Sequence, residues 1–189
     1  MPFCAFFSRR IFAAAALLGF VTAARALTLE ELQQDQLLSP RNFARHFADF
    51  RFRFRADVQS PDAFLASKIG DCDDYATLAA DLLKAKGLTT RLVAVRMKKL
   101  VHVVCYVDEA GGYLDYNERA VGNGFVCSGK ALSEIADKVA ASLGARWASV
   151  SEFTYRDRLK RLVQTVLPAE VPRNRWMTQY PRGTQRDSS

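Results

Sequence analysis

Three residues of the 189-residue chain have the types and the order needed for thiol chemistry: Cys72, His102 and Asp115. A cysteine attacks as its thiolate, and the partial positive charge at a helix N-terminus favours that form. Cys72 follows a Gly70-Asp71 break and begins a predicted helix. An imidazole nearby can take the thiol proton and return it, and a carboxylate on the other ring nitrogen fixes the ring's orientation. The pattern predicts a Cys72-His102-Asp115 catalytic triad.

The predicted strands allow His102 and Asp115 to meet. Alternate side chains of a strand share a face, so His102 and Cys105 lie on opposite faces of one strand. Asp115 lies on the next strand of the same hairpin, within cross-strand reach of His102. Cys105 is therefore a poor rival nucleophile. The only other histidine, His46, lies in a stretch with helical spacing and has no strand partner.

The cysteines also permit other interpretations. Cys72, Cys105 and Cys127 are an odd number in the mature chain, so a Cys105–Cys127 bridge would leave Cys72 free; three reduced cysteines are the alternative. Cys127 lies in a glycine-rich segment with no histidine close in sequence. A zinc site built from Cys72, His102 and Asp115 is disfavoured, because three ligands without C-x-x-C or H-x-x-x-H spacing are atypical.

Helical periodicity precedes strand periodicity along the chain, which predicts an α+β fold. Helices are predicted at 28–38, from Ser39-Pro40 onward, at 61–68, at 72–86 and at 131–143, and strands at 91–96, 101–107, 112–116 and 147–150. Gly87 is placed to cap the helix that Cys72 begins. The nucleophile would thus stand at a helix start, packed on a small antiparallel sheet.

Two further stretches have mixed patterns. Residues 50–55 continue a helical phenylalanine stripe but also alternate Phe and Arg with period two, so helix and strand both stay open. The arginines there are interpreted as a solvated face, with a docking patch for an acidic partner as the alternative. Residues 153–167 are predicted as a helix that is basic outside, and 172–189 as a flexible basic tail.

The first 26 residues have the pattern of an export signal. Arg9 and Arg10 precede an apolar run that is too short to span a bilayer, and Ala24-Arg25-Ala26 fits a cleavage site. Ser8-Arg9-Arg10-Ile11-Phe12 also fits a twin-arginine signal, so the Sec and twin-arginine routes both remain open. The domain assignment is a signal peptide at 1–26, one domain at 27–171 and the tail. The mature protein is predicted to be periplasmic or secreted, without a membrane span.

Composition excludes few classes of protein. Hydrophobic residues make up 49% of the chain, which is enough for the core of one compact domain, predicted to be a monomer. Three of the 27 basic residues and none of the 20 acidic residues precede residue 27, so the mature chain carries a net charge of +4. That charge is mild, and no nucleic-acid partner is predicted.

Around Cys72, His102 and Asp115 the chain resembles the transglutaminase-like superfamily of papain-fold enzymes. It is most similar to the bacterial transglutaminase-like cysteine peptidases, which carry a D-C-[ED]-D-Y-A motif. The segments that carry the resemblance are Gly70-Asp71-Cys72-Asp73-Asp74-Tyr75-Ala76, Leu82-Leu83 with Gly87, Arg91-Leu92-Val93-Ala94-Val95, Val101-His102-Val103-Val104 and Leu114-Asp115-Tyr116-Asn117. Together they extend over about 61–117.

The resemblance implies a papain-like fold, a Cys72-His102-Asp115 triad and, for some members, periplasmic proteolysis. It also implies calcium binding through acids beside the nucleophile, here Asp71 and Asp73, since carboxylate oxygens suit Ca²⁺. The alternative is that these acids only favour the helix dipole. No other cofactor is predicted.

The leading functional hypothesis is an exported cysteine-dependent peptidase or amidase that forms an acyl-enzyme on a protein or peptide substrate in the cell envelope. A protein-crosslinking transglutaminase or a cell-wall peptide amidase is the first alternative. A non-catalytic binding module on the same fold is the second, because one fold hosts many roles.

Overall fold

The computed structural model describes residues 27–120, 124–156 and 159–169. The predicted signal peptide and tail lie outside these residues. Within them, the helices are α1 (Leu29–Gln34), α2 (Pro40–Arg45), α3 (Pro61–Ser67), α4 (Cys72–Ala85) and α5 (Leu132–Ser142). The strands are β1 (Arg51–Phe52), β2 (Ile69–Gly70), β3 (Thr90–Met97), β4 (Val101–Val107), β5 (Gly112–Leu114), β6 (Phe125–Cys127), β7 (Trp147–Arg156) and β8 (Leu159–Val166). None of the described helices is long and apolar enough to cross a bilayer.

Six of the described strands form one antiparallel sheet in the order β6-β5-β4-β3-β7-β8. The register between β3 and β4 places Val95 opposite His102. On its other side β3 pairs with β7, where Leu92 lies opposite Phe153. The short strands β1 and β2 pair with each other in parallel. The predicted α+β class, with helices and an antiparallel sheet, is therefore confirmed.

Two hydrophobic clusters cover the two faces of this sheet. On one face, α4 packs its apolar side against Leu92 and Cys105, with Leu83 fully buried in the same cluster. On the other face, α5 packs Ile135 against Val93. Because alternate residues of β3 enter different clusters, the strand period of two decides which helix each side chain meets. His102 and Cys105 lie an odd number of residues apart, as the prediction of opposite faces requires.

The helix that Cys72 begins agrees closely with its prediction. α4 starts at Cys72, and Gly87 follows its end with φ of 84°, a conformation that costs glycine little. Ser39 caps α2 with its side chain on the Asn42 N–H, and Pro40 occupies the first turn. α1 ends at Gln34 and is shorter than predicted.

The Phe/Arg stretch is a short strand, preceded by a turn. α2 ends at Arg45, and β1 begins at Arg51. Phe50 is buried, whereas Phe52 and Phe54 are 56% and 77% exposed. The helix therefore ends before residues 50–55, and the period-two pattern of that stretch corresponds to the strand β1.

The prediction of a helix over 153–167 is wrong. β7 extends from the predicted short strand through Arg156, and β8 returns beside it with Thr154 opposite Arg161. The helical spacing came from Leu159, Leu162 and Val163, which are 57%, 64% and 58% exposed on the outer strand. Pairing of β7 with β3 overrides the local pattern, as tertiary context commonly does.

Candidate active site

The N-terminus of α4 is built around the Asp71 carboxylate. Asp71 is the N-cap residue, and its Oδ1 accepts hydrogen bonds from the backbone N–H groups of Asp73 and Asp74. The Asp74 carboxylate accepts the Asp71 N–H at 3.1 Å, which completes a capping box. Cys72 is the first helical residue, so its thiol stands at the positive end of the helix dipole.

The same two carboxylates attach the preceding loop to α4. Asp71 Oδ2 accepts the Arg55 N–H at 2.8 Å. Asp74 accepts the backbone N–H and the side-chain amide of Gln59, both at 2.7 Å. The backbone also passes closely here, since a Cβ on Gly70 would lie 2.5 Å from Asp74 Oδ2. The acids beside Cys72 therefore fix the loop and the helix start in one arrangement.

His102 and Asp115 form a buried pair. The distance from His102 Nε2 to Asp115 Oδ1 is 2.8 Å, and the two residues are 4% and 1% exposed. Asp115 directly follows β5; its N–H donates to the Gly124 carbonyl, and its Oδ1 also accepts the Asn117 N–H at 2.8 Å. These bonds fix the carboxylate, and the carboxylate in turn orients the imidazole.

The protonation of His102 follows from its partners. Burial lowers the pKa of His102, but hydrogen bonds to Asp115 and to Cys72 outweigh burial and raise the pKa from 6.5 to about 10. Because Nε2 faces Asp115, Nδ1 is the ring nitrogen left for the thiol. A histidine beside a thiol can carry a proton to and from a reacting group.

All three predicted residues meet at one place. Cys72 and His102 line a common cavity of about 740 Å³, and Asp115 lies behind His102. Cys72 is 9% exposed and lines this cavity. The arrangement can bring a thiolate, a proton carrier and an orienting carboxylate to a substrate that enters the cavity.

The other two cysteines of the described residues lie elsewhere. Cys105 is fully buried on the α4 face of the sheet, and burial raises the pKa of its thiol far above the ordinary value. Cys127 is exposed at the end of β6. Both are free thiols, so the alternative of a Cys105–Cys127 bridge is not realised. Burial excludes Cys105 as a nucleophile.

The acids beside Cys72 fit calcium poorly. Both carboxylate oxygens of Asp71 accept hydrogen bonds from backbone N–H groups. The positive charge of Lys160 acts on the Asp73 carboxylate. Within the described residues, no group of three or more His, Cys, Asp and Glu side chains is arranged to hold a metal ion. The same finding removes support for a zinc site of Cys72, His102 and Asp115. Calcium at Asp71 and Asp73 stays what the family resemblance implies, and no chemical step below depends on it.

Among the cavity side chains that sequence reasoning did not assign to the site, Lys160 is the most distant in sequence from Cys72. Lys160 of β8 lines the cavity with Cys72, and its charge acts on both Asp73 and Cys72. It lies in residues 153–167, which were predicted as a helix. No local sequence signal indicates that this stretch lies close to Cys72. Only the pairing of β8 with β7 brings it there.

Fold and site together define a class of α+β proteins in which a cysteine at a helix start and a buried histidine–carboxylate pair adjoin one cavity. The chain belongs to the transglutaminase-like superfamily, whose sequence profile matches residues 23–126, more than half of its length. The match contains Cys72, His102 and Asp115 and is longer than the predicted 61–117. Members of the superfamily are typically cysteine-dependent enzymes, chiefly cysteine peptidases and transglutaminases. No curated protein matches the chain.

Proposed function

We propose that the protein is a cysteine-dependent hydrolase of peptide or amide bonds, with Cys72 as nucleophile, His102 as general base and acid, and Asp115 as the residue that orients His102. The observation that carries the proposal is the buried 2.8 Å contact between His102 and Asp115, on a histidine that lines the same cavity as Cys72. In the papain-like arrangement that we infer, those three groups act as a unit.

The first half of the reaction forms an acyl-enzyme. The Cys72 sulfur attacks the carbonyl carbon of the substrate amide, and the carbonyl oxygen takes the negative charge. The Cys72 backbone N–H, the first of α4, has no acceptor within the described residues, and it can donate to that oxygen. The C–N bond then breaks as His102 protonates the leaving amine, which leaves a thioester on Cys72 and a neutral imidazole.

The second half of the reaction regenerates the enzyme. The neutral His102 takes a proton from water as the water oxygen attacks the thioester carbonyl. Collapse of this intermediate releases the carboxylic acid product and returns the sulfur and the proton to the Cys72–His102 pair. Asp115 stabilises the positive charge that His102 carries at the start and end of each cycle.

The natural setting that we propose is the cell envelope. The protein would be exported through the Sec or twin-arginine route, lose residues 1–26 and act as a monomer on a protein or peptide there. The first 26 residues carry this part of the proposal through their sequence pattern.

Alkylation of Cys72 by iodoacetamide, followed by mass spectrometry, tests the proposal. Cys127 is exposed and serves as the internal reference thiol. We expect Cys72 to react faster than Cys127 at pH 6–7, and His102→Gln to slow Cys72 by about 10²-fold or more. The matched control is His46→Gln, because His46 is the only other histidine and is exposed at the end of α2. Reaction of Cys72 that is slow and independent of His102 would contradict catalysis and favour the binding module.

The fate of the acyl group separates hydrolysis from crosslinking. If purified mature protein hydrolyses a peptide library but does not incorporate a primary amine into glutamine substrates, the hydrolase assignment stands. Efficient amine incorporation would instead identify a transglutaminase. The Cys72→Ala variant controls for contaminating activity in both assays.

A further inference from the structure

The wall of the Cys72 cavity carries four basic side chains. Arg96 lies near the end of β3, and Lys98 and Lys99 form the turn into β4. Lys160 comes from β8, four strands away from β5 in the sheet. Because these four residues come from two separate parts of the chain, only the folded sheet brings them around the nucleophile.

None of these cations forms an ion pair within the described part of the protein. Lys68, Arg91 and Lys138 each have a carboxylate within 4 Å. None of the four cavity cations has such a partner, or a side-chain hydrogen bond, among residues 27–120, 124–156 and 159–169. Their charge therefore faces the cavity and the solvent.

Lys160 is the cavity cation whose position relative to the nucleophile is best defined. Its Nζ lies 3.7 Å from the centre of the Phe153 ring, a cation–π contact to a buried aromatic residue. Phe153 belongs to the cluster on the α4 face of the sheet. Partial burial lowers the pKa of Lys160, while the charges of Asp73 and Cys72 act against that shift. The ammonium is therefore held on the side of the sheet where Cys72 lies.

Two acids oppose this positive charge, and both accept hydrogen bonds, Asp73 from the Cys72 thiol. Asp71 Oδ1 and Oδ2 both accept backbone hydrogen bonds. Asp73 lies beside the thiol, with Oδ1 4.0 Å from Cys72 Sγ. Four cations against these two carboxylates leave the lined cavity positive, and a cleft with one dominant sign of charge attracts ligands of the other sign.

We propose that the substrate of this site is acidic: a peptide segment with a carboxylate side chain close to the scissile amide, bound by Lys160 and Arg96. This inference rests on the proposed function and adds its substrate class. The exposed rings of Phe52 and Phe54 also line the cavity and suit an apolar residue beside the acidic one. The cations act on substrate selection, and Cys72 performs the same chemistry on any amide that is bound.

A pair of alkylating reagents tests the charge of the cavity without knowledge of the substrate. Iodoacetate and iodoacetamide both react as the sulfur displaces iodide, but only iodoacetate carries a carboxylate. We expect the ratio of the iodoacetate rate to the iodoacetamide rate at Cys72 to exceed the ratio for 2-mercaptoethanol about 10-fold in low salt. The ratio should fall as salt is added, because ions screen the attraction.

Variants assign the effect to the named cations. Lys160→Met and Arg96→Met should each lower the rate ratio several-fold, and the double variant should bring it to that of the free thiol. Lys84→Met is the matched control: it removes an exposed lysine at the opposite end of the helix that Cys72 begins, and the ratio should not change. Circular dichroism of each variant establishes that the fold is retained.

The outcomes separate this inference from the proposed function. Fast, His102-dependent alkylation of Cys72 with equal rate ratios for the protein and the free thiol would overturn the acidic substrate and leave the hydrolase standing. Slow alkylation by both reagents would overturn both. A final measurement uses peptide libraries with a fixed Glu or a fixed Gln: turnover should favour Glu about 10-fold, and equal turnover would likewise overturn the inference.

Discussion

His102 lies between Cys72 and the Asp115 carboxylate. Its Nε2 contacts Asp115, and its other nitrogen is left for Cys72. Asp115 is 1% exposed and Cys72 is 9% exposed. Because both side chains are buried, water does not compensate His102 for the loss of either one. A buried charged pair that loses one member leaves the other without compensation.

The raised pKa of His102 predicts how stability depends on pH. Hydrogen bonds to Asp115 and Cys72, acting against burial, raise the pKa from 6.5 to about 10, so the folded protein binds more protons than the unfolded chain between these values. The stabilisation is complete below about pH 6.5 and is lost as the pH rises towards 10. We expect urea denaturation, followed by tryptophan fluorescence, to show this loss in the wild type.

Two variants assign that loss to the His102–Asp115 pair. Asp115→Asn removes the carboxylate, and His102→Gln removes the titrating group. Both should flatten the decline in the free energy of unfolding between pH 6.5 and 10. A decline as steep as that of the wild type in both variants would show that other groups cause it.

The arrangement of Asp71 and Asp73 predicts that calcium is not required. Asp71 already accepts three backbone N–H groups, which leaves few lone pairs for a cation. We expect EGTA to leave the alkylation rate of Cys72 unchanged and calcium chloride to leave the melting temperature unchanged. A calcium-dependent rise in melting temperature that Asp73→Asn abolishes would restore the calcium site that the family resemblance implies.

At the scale of elements, the two longest described helices differ in how they begin. α4 has the Asp71 capping box, whereas Ala131 caps α5 without a side-chain hydrogen bond. Asp71→Ala should therefore lower the free energy of unfolding by about 0.5–2 kcal/mol, and Ala131→Asp should raise it by a similar amount. Chemical denaturation measures both.

Of these two substitutions, only Asp71→Ala should change the reactivity of Cys72. Asp71→Ala frees the Arg55 N–H and loosens the loop next to Cys72, so alkylation of Cys72 should slow. Ala131→Asp lies on the other face of the sheet and should leave the rate unchanged. Equal rates for both variants would mean that the Asp71 cap stabilises α4 without positioning the nucleophile.

The sequence allowed α4 to be predicted because its signals are local. Asp71 at the start and Gly87 after the end act within one turn of the helix that they delimit. The β7–β8 hairpin has no comparable signal. Leu159, Leu162 and Val163 have helical spacing, but they are exposed on a strand whose only described partner is β7. Their structure is decided by a pairing that begins at β3, about 60 residues earlier.

The same distinction applies to the site. Cys72, His102 and Asp115 could be named from the sequence because residue type, order and strand alternation restrict the choice, with only two histidines in the chain. Their 2.8 Å contact could not be predicted, since it depends on the bond from Asp115 to Gly124. Lys160 could not be named at all, because its place at the cavity depends on the hairpin.

At the scale of the whole molecule, the sheet separates a face with the candidate site from a face on which α5 packs. Ile135 is fully buried between α5 and the sheet. Ile135→Ala should lower the free energy of unfolding by about 2–5 kcal/mol, and Ile135→Val by about 0.5–1.5 kcal/mol. Alkylation of Cys72 should not change in either variant, provided that the protein stays folded. Slower alkylation in folded Ile135→Ala would reveal coupling across the sheet.

The central position of β3 has a practical consequence for anyone who trims this protein to its recognisable part. The family profile ends at residue 126, before α5, β7 and β8. A fragment cut there would keep Cys72, His102 and Asp115, but β3 would become an unpaired edge strand. It would also expose Val93 and Val95, which α5 and its neighbours cover in the intact chain. Unpaired edge strands form hydrogen bonds with strands of other chains and so promote aggregation. The part that homology recognises is therefore not the part that can be excised, and a shortened form for expression should retain the chain at least through residue 169.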